Sequence, residues 1–185
     1  MKEKITQQSV VLFEKKGFSE TSIQDIVEAL SVTKGTFYYY FASKEQLLMD
    51  IHLGYIDDLL TRQKQLASSA LTNSEKMKSI VHLLIDDIKS HGASGRVFFR
   101  EMRHLTVGNA EVIKKKREQF RVNIEELIAR GMEQGEFRKD LSPALTAFAI
   151  LGVTNWSYQW FNPSGEISAP QLAESYCDFI LNGIV

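Results

Sequence analysis

Apolar positions recur at intervals of three and four residues along almost the whole chain, and no stretch alternates strictly, so the pattern predicts an all-α protein. In 2–16, Ile5, Leu12 and Phe13 share one stripe. Lys15-Lys16-Gly17 then closes the segment with cations in the last turn and a glycine suited to a left-handed cap. Thr21 or Ser22 starts a second helix whose inward stripe is Ile23, Ile26, Val27 and Leu30. Ser31-Val32-Thr33 follows at once, and a short third segment covers 33–39. Ser43 opens a long helix, with Gln46 as its capping-box partner and Leu47, Leu48, Ile51, Tyr55, Leu59 and Leu60 carrying the period to about residue 66. Further helices are expected near 74–91, 95–105, 109–131, 141–161 and 169–182, about nine in total. Asn73, Asn109 and Ser168 are their expected N-caps, Pro170 suits a first turn, and Ser168 with Gln171 reads as a capping box. The start of the long helix is the expected boundary, dividing 1–43 from a larger helical domain over 44–185.

Composition narrows the class. The chain has 185 residues, 44% hydrophobic and 24% charged, with only 11 Gly and 3 Pro, which excludes a disordered or fibrous chain. The single cysteine, Cys177, excludes a disulfide framework and a cysteine-rich zinc site. No apolar run reaches 18 residues, and the first eight residues lack the apolar core of a signal peptide, so a cytoplasmic protein is expected. Net charge is −1, and residues 1–45 balance six lysines against six acids. A bulk nucleic-acid binder would carry a basic excess, so any duplex contact must rest on local placement.

Two short helices joined by about three residues outline a helix-turn-helix, in which the second helix enters the major groove. At about 100° per residue, Phe37 and Phe41 fall on one side of the segment from Thr33, while Gly35, Thr36 and Tyr39 fall together on the other. That outer side has groove-reading chemistry. Gly35 lets the backbone approach, and Thr36 offers a hydroxyl and a methyl. Thr33 and Lys34 lie where free N–H groups favour a phosphate, and Tyr38 and Lys44 are placed to donate to the phosphate backbone. A competing reading makes Tyr38-Tyr39-Tyr40 ordinary packing, although three consecutive helical residues cannot all face one core.

Phe13, Gly17-Phe18, Thr21-Ser22-Ile23, Asp25-Ile26, Lys34-Gly35-Thr36-Phe37-Tyr38, Tyr40-Phe41 and Lys44-Glu45 resemble the N-terminal signature of the TetR family of transcriptional regulators, over about residues 5–48. Two features depart from it: Tyr40 stands where many members carry histidine, and the lead before the first helix is too short for a basic minor-groove arm. The resemblance implies a homodimer on a pseudo-palindromic double-stranded operator, a ligand pocket among the C-terminal helices, and a linking helix that moves the reading heads when ligand binds. It also implies DNA contacts for Thr21, Ser22, Thr33, Lys34, Gly35, Thr36, Tyr38, Tyr39 and Lys44, with Phe37 and Phe41 in the core.

Residues 145–160 are apolar nearly all round, so the helix they form needs cover on every side. Its own domain covers one face. Either a second copy, completing a four-helix interface with Leu172, Tyr176, Phe179 and Ile180, or a monomer core covers the other. Asn155 and Gln159, one turn apart, are read either as amides satisfied by backbone or as pocket lining. Phe98, Phe99, Arg100, Met102, Arg103 and Phe120 are read either as core aromatics beside a solvated charged face or as a lining for an anionic amphiphile, the guanidinium fork taking its phosphate or carboxylate. The stretch 155–165 is similar to one in TetR-family repressors of fatty-acid and sterol-ring degradation that respond to acyl-CoA thioesters, which implies an acyl-CoA or fatty-acyl effector.

Enzymatic chemistry finds no carrier. His52, His82, His91 and His104 are scattered, Gly92-Ala93-Ser94-Gly95 is one residue short of a nucleophile elbow, and no phosphate-binding glycine loop occurs. Cys177 reads as a small buried hydrophobe and Lys114-Lys115-Lys116-Arg117 as a solvated face. No cofactor, metal or membrane is expected. The reading is a ligand-responsive DNA-binding regulator that is not an enzyme, released from its operator by a small, largely apolar effector. The alternative is a helical lipid or acyl-CoA binding protein without a DNA role.

Overall fold

Side-chain caps decide where most of the helices begin. In the computed structural model, which describes residues 1–185, eight α-helices form and no strand does. They are α1 (Lys2–Lys16), α2 (Ile23–Ala29), α3 (Lys34–Tyr40), α4 (Lys44–Ala67), α5 (Asn73–Arg100), α6 (Val107–Glu133), α7 (Pro143–Trp160) and α8 (Ala169–Ile184), with one 3-10 turn at Met102–His104. Ser22 and Ser168 head complete capping boxes with Asp25 and Gln171, and Thr33 and Ser142 cap α3 and α7.

Three expected caps resolve differently. Thr72, not Asn73, caps α5 by exchanging bonds with Glu75 at 2.9 and 3.2 Å. Asn73 instead donates to Gln134 (2.8 Å) and Glu136 (2.6 Å), closing the connection after α6. Thr106, not Asn109, caps α6. Ser43 does accept the Gln46 N–H at 3.0 Å, but the Gln46 side chain reaches forward to Asp50 (2.8 Å) and leaves that box half made.

The helices expected over 74–91 and 95–105 are one run to Arg100, bent at His91 (φ −131, ψ 21). Gly92 and Gly95 permit the bend without ending the helix, because the hydrogen-bond ladder resumes after one residue. Gly17 ends α1 as expected, but at φ 87 and ψ 160 rather than in the left-handed helical region. Essentially only glycine adopts that conformation, so the chain can turn sharply toward α2.

The chain forms two compact units, Met1–Asp57 with Ala93–Lys115, and Asp58–Gly92 with Lys116–Val185. In the first, Ile5, Phe13, Ile26, Phe37, Phe41, Leu47, Leu48, Val97 and Phe98 are buried. In the second, Met77, Ile85, Ile124, Ile128, Ile150, Ala173 and Ile180 are buried. Gly131 lets the Phe137 ring lie against the end of α6, where any side chain would overlap it. No helix is long and apolar enough to cross a membrane.

Candidate nucleic-acid interface and effector-side residues

The turn between α2 and α3 is tight. Ser31 takes φ 53, and the N–H groups of Ser31 and Val32 bond back to Glu28 (3.0 Å) and Val27 (2.9 Å). These bonds hold a conformation that a serine seldom adopts. Thr33 then caps α3, its hydroxyl accepting the Thr36 N–H at 3.2 Å and lying 3.1 Å from the Thr36 hydroxyl. Phe37 is fully buried while Tyr39, two residues on, is 81% exposed. The outer side of α3 therefore presents Thr33, Lys34, Gly35 and Tyr39, with Tyr38 beside them and Thr36 half-buried. Tyr40 packs edge-on against Tyr39 at 4.8 Å between ring centroids. Packing alone thus does not account for the three tyrosines.

Ser22 is exposed at the N-terminus of α2. Its hydroxyl first, then its N–H and the Lys16 ammonium, hold Asp25 at about 2 against an ordinary 3.8. Thr21 and Lys44 sit elsewhere than the surface expected of them. Thr21 is fully buried, and its hydroxyl donates to the Gly17 carbonyl at 2.8 Å. Lys44 donates to the carbonyls of Phe18 (2.7 Å) and Thr21 (2.6 Å), with its ammonium 4.3 Å from the Phe18 ring centre. Burial pushes that ammonium below its usual range, and Glu20 and Asp25 offset part of the effect. Both side chains brace the connection between α1 and α2.

The residues expected to line a pocket fall in both compact units. In the first, Phe98 is core, stacked on Tyr55 and His52 at 4.8 and 5.3 Å, with Phe99 edge-on to it at 5.4 Å. Arg100 clamps the end of α1, donating to the carbonyls of Phe13 (2.5 Å) and Glu14 (2.9 Å) and to the Glu101 carboxylate (2.6 Å). Met102 is half-buried. Arg103 is exposed beside His104, on a recess of about 350 Å³ that Lys15, Lys16 and Phe18 also line. In the second unit Phe120 is buried, and its carbonyl accepts from Gln63 (2.9 Å). Asn155 is half-buried and Gln159 exposed on α7.

One polar cluster in the second unit escaped the sequence reading. Asp87, fully buried, accepts from the Tyr158 hydroxyl at 2.9 Å and from Arg62, and lies 3.0 Å from His91 Nδ1 at the bend of α5. Its signal was present: Asp87 stands on the apolar stripe of Ile80, Leu84 and Ile88, where a carboxylate has no place unless partnered.

On α7, Ala147, Ile150, Thr154, Ser157 and Tyr158 face inward. Leu145 (71%), Phe148 (57%) and Trp156 (66%) stay exposed in a stripe, joined on α8 by Phe179 (68%). Leu172 and Ile180 are buried in their own unit, so the open side of α8 is narrower than expected. Cys177 is buried, its thiol pushed up to about 11 by burial first and by Glu174 second, which suits a packing residue rather than a nucleophile.

Comparison with known proteins agrees with this arrangement. Residues 5–51 match the model of bacterial regulatory proteins of the TetR family, and residues 70–184 match that of a tetracyclin repressor-like C-terminal domain. The transcriptional repressor KstR2 of Rhodococcus jostii is 25% identical over 178 residues, 95% of this chain and 87% of that one. KstR2 of Mycobacterium tuberculosis, a ketosteroid transcriptional regulator, superposes with a TM-score of 0.92 at 25% identity over 100% of this chain and 94% of that one. AibR in complex with isovaleryl coenzyme A and operator DNA gives 0.86 at 25% identity, with 96% of each chain covered. With an exposed α3 face seated on a buried phenylalanine pair, and both halves of the chain matched, the chain belongs to the TetR family of effector-responsive, DNA-binding transcriptional regulators.

Proposed function

We propose that this protein represses transcription by binding a pseudo-palindromic operator as a homodimer, and that an acyl-CoA or fatty-acyl effector releases it. The observation that carries the reading is the pairing on α3 of fully buried Phe37 with 81%-exposed Tyr39. In this reading Gly35, Thr36 and Tyr39 meet base edges, while Ser22, Thr33, Lys34 and Tyr38 hold phosphates and set the register. Lys44 and Thr21 act at one remove, by fixing the frame. Two recognition helices about 34 Å apart would meet successive major grooves of one duplex face.

The exposed stripe of α7 with Phe179 is the surface that pairs two chains. An apolar strip of this kind on one chain is costly in water and gains by being covered. An acyl-CoA effector is supported by AibR, whose structure holds isovaleryl coenzyme A. Such a regulator works in the cytoplasm, where its DNA lies, and acts by binding rather than catalysis. Its near-neutral charge predicts modest non-specific affinity, with specific binding that still weakens as salt rises.

The test is footprinting of the DNA upstream of the protein's own gene, with and without isovaleryl-CoA and longer acyl-CoA thioesters. A protected palindrome lost on adding one of these thioesters is expected. A protein that binds acyl-CoA but protects no duplex would be a carrier instead, and the proposal would fall.

A further inference from the structure

A groove of about 430 Å³ runs between the end of α4 and the first half of α5 in the second unit, lined by Arg62, Leu66, Lys78, Ser79, His82 and Leu83 among others. Its chemistry is amphiphilic. Leu66 and Leu83 supply apolar surface, while Arg62, Lys78 and His82 supply cations or potential cations. Asp86 is exposed at the rim, His82 shares Glu174 across 3.1 Å, and Asp58 and Asp87 hold Arg62, so Lys78 is the cation of the lining that no carboxylate holds.

Arg62 is unusual within this lining. Its Nη2 alone serves two carboxylates, Asp58 at 2.6 Å and the buried Asp87. Its Nε is shielded from water and meets no acceptor. A guanidinium matches a carboxylate or phosphate best through two parallel N–H donors, and here that fork is half used. A buried donor without an acceptor is a standing cost that a suitable oxyanion removes.

We propose that this groove binds an oxyanion carried on an apolar chain, and that Arg62 turns from Asp87 to the ligand when it is occupied. The proposal rests on the effector-responsive reading above and names the site and chemistry of the effector. The apolar chain lies along Leu66 and Leu83, and Lys78 adds a second cation at the exposed edge. Loss of Arg62 leaves Asp87 to Tyr158 of α7 and His91 at the bend of α5. Occupancy therefore changes the partners of α4, α5 and α7 at one point. A ligand shifts a conformational equilibrium only through such differential contacts.

Dodecanoate, dodecanoyl-CoA and dodecanol are titrated calorimetrically into the full-length wild type and into R62Q, K78E and L83W. Lys78 is exposed and Leu83 half-buried, so the last two variants keep the fold even if R62Q does not. Expected is binding of dodecanoate or dodecanoyl-CoA, weaker for dodecanol, and a loss of at least about tenfold in K78E and L83W, as for one charged contact or a blocked groove. Preference for dodecanoate assigns the carboxylate as the source of the oxyanion, and preference for the thioester assigns the phosphates. Equal affinities across the variants, equal affinity for dodecanol, or no binding of any of the three overturns the proposal. Operator binding without ligand is measured on the same samples. If the wild type binds its operator, a negative titration condemns the groove alone. If no duplex is bound at all, the repressor reading fails on its own.

Discussion

The ammonium of Lys44, at the first turn of α4, donates to the carbonyl of Thr21 at 2.6 Å, across 23 residues of chain. With the Phe18 carbonyl at 2.7 Å, this pins the long helix to the connection between α1 and α2. The bond is charge-assisted, and a net contribution of about 2 kcal/mol is the order expected. Lys44→Met keeps the apolar stem but removes the donor, so urea unfolding should show a loss of about that size. Operator affinity should fall with it, because the α2–α3 frame loosens. Unchanged stability would show that the pairing is idle.

The contrast between Lys44 and its neighbours shows what the sequence makes legible. The α2–α3 hairpin was readable because its determinants are local: Ser22 and Thr33 cap helices three residues ahead, and Phe37 repeats on a helical stripe. The bonds of Thr21 and Lys44 to the frame are not legible, because their partners are carbonyls, which every residue carries and no sequence pattern marks. Asp87 was missed for a related reason. Its donors Arg62 and Tyr158 lie 25 and 71 positions away, and only its own position on the apolar stripe of α5 betrayed it. Whether Arg100 meets solvent, an anion or the protein itself is not legible either, because the end of α1 offers a guanidinium carbonyls of the same electrostatic sign as an anionic ligand.

Tyr39→Ala separates recognition from folding. The side chain is 81% exposed, so its removal should shift stability by no more than about 0.5 kcal/mol. Operator affinity should fall by about 1–3 kcal/mol, at least tenfold, with non-specific binding little changed. Phe37→Ala should do the reverse in kind, costing about 3–5 kcal/mol of stability through a core cavity. Gel-shift titration beside thermal unfolding gives both readouts, and a Tyr39 variant with wild-type affinity would remove that residue from the reading face.

Asp25 makes the N-terminus of α2 sensitive to acid. Its carboxyl is held at about 2 in the folded chain against an ordinary 3.8, so its contribution is fully present above about pH 4. That contribution is lost as the pH falls toward 2, where the folded group also takes its proton. Asp25→Asn cannot titrate and breaks the reciprocal cap with Ser22 at every pH. The difference in urea midpoint between wild type and D25N should therefore shrink between pH 4 and pH 2 and stay constant from pH 5 to 8. A constant difference over the acid range would mean that Ser22 does not favour the ionised form.

Trp156 tests the pairing surface. It is 66% exposed on α7, in a stripe with Leu145 and Phe148, and Phe179 adds an aromatic from α8. A glutamate at this position costs a lone chain little, since the site faces water. In a paired face it buries two unpartnered carboxylates, one from each copy, and such a charge costs several kcal/mol. Trp156→Glu should therefore sediment as a monomer at concentrations where the wild type is a dimer, while retaining its helical signal. Operator affinity should drop by at least about tenfold, because the two reading helices no longer share one rigid spacing and each half-site is bound alone. A variant that remains dimeric and binds its operator normally would place the interface elsewhere on the chain.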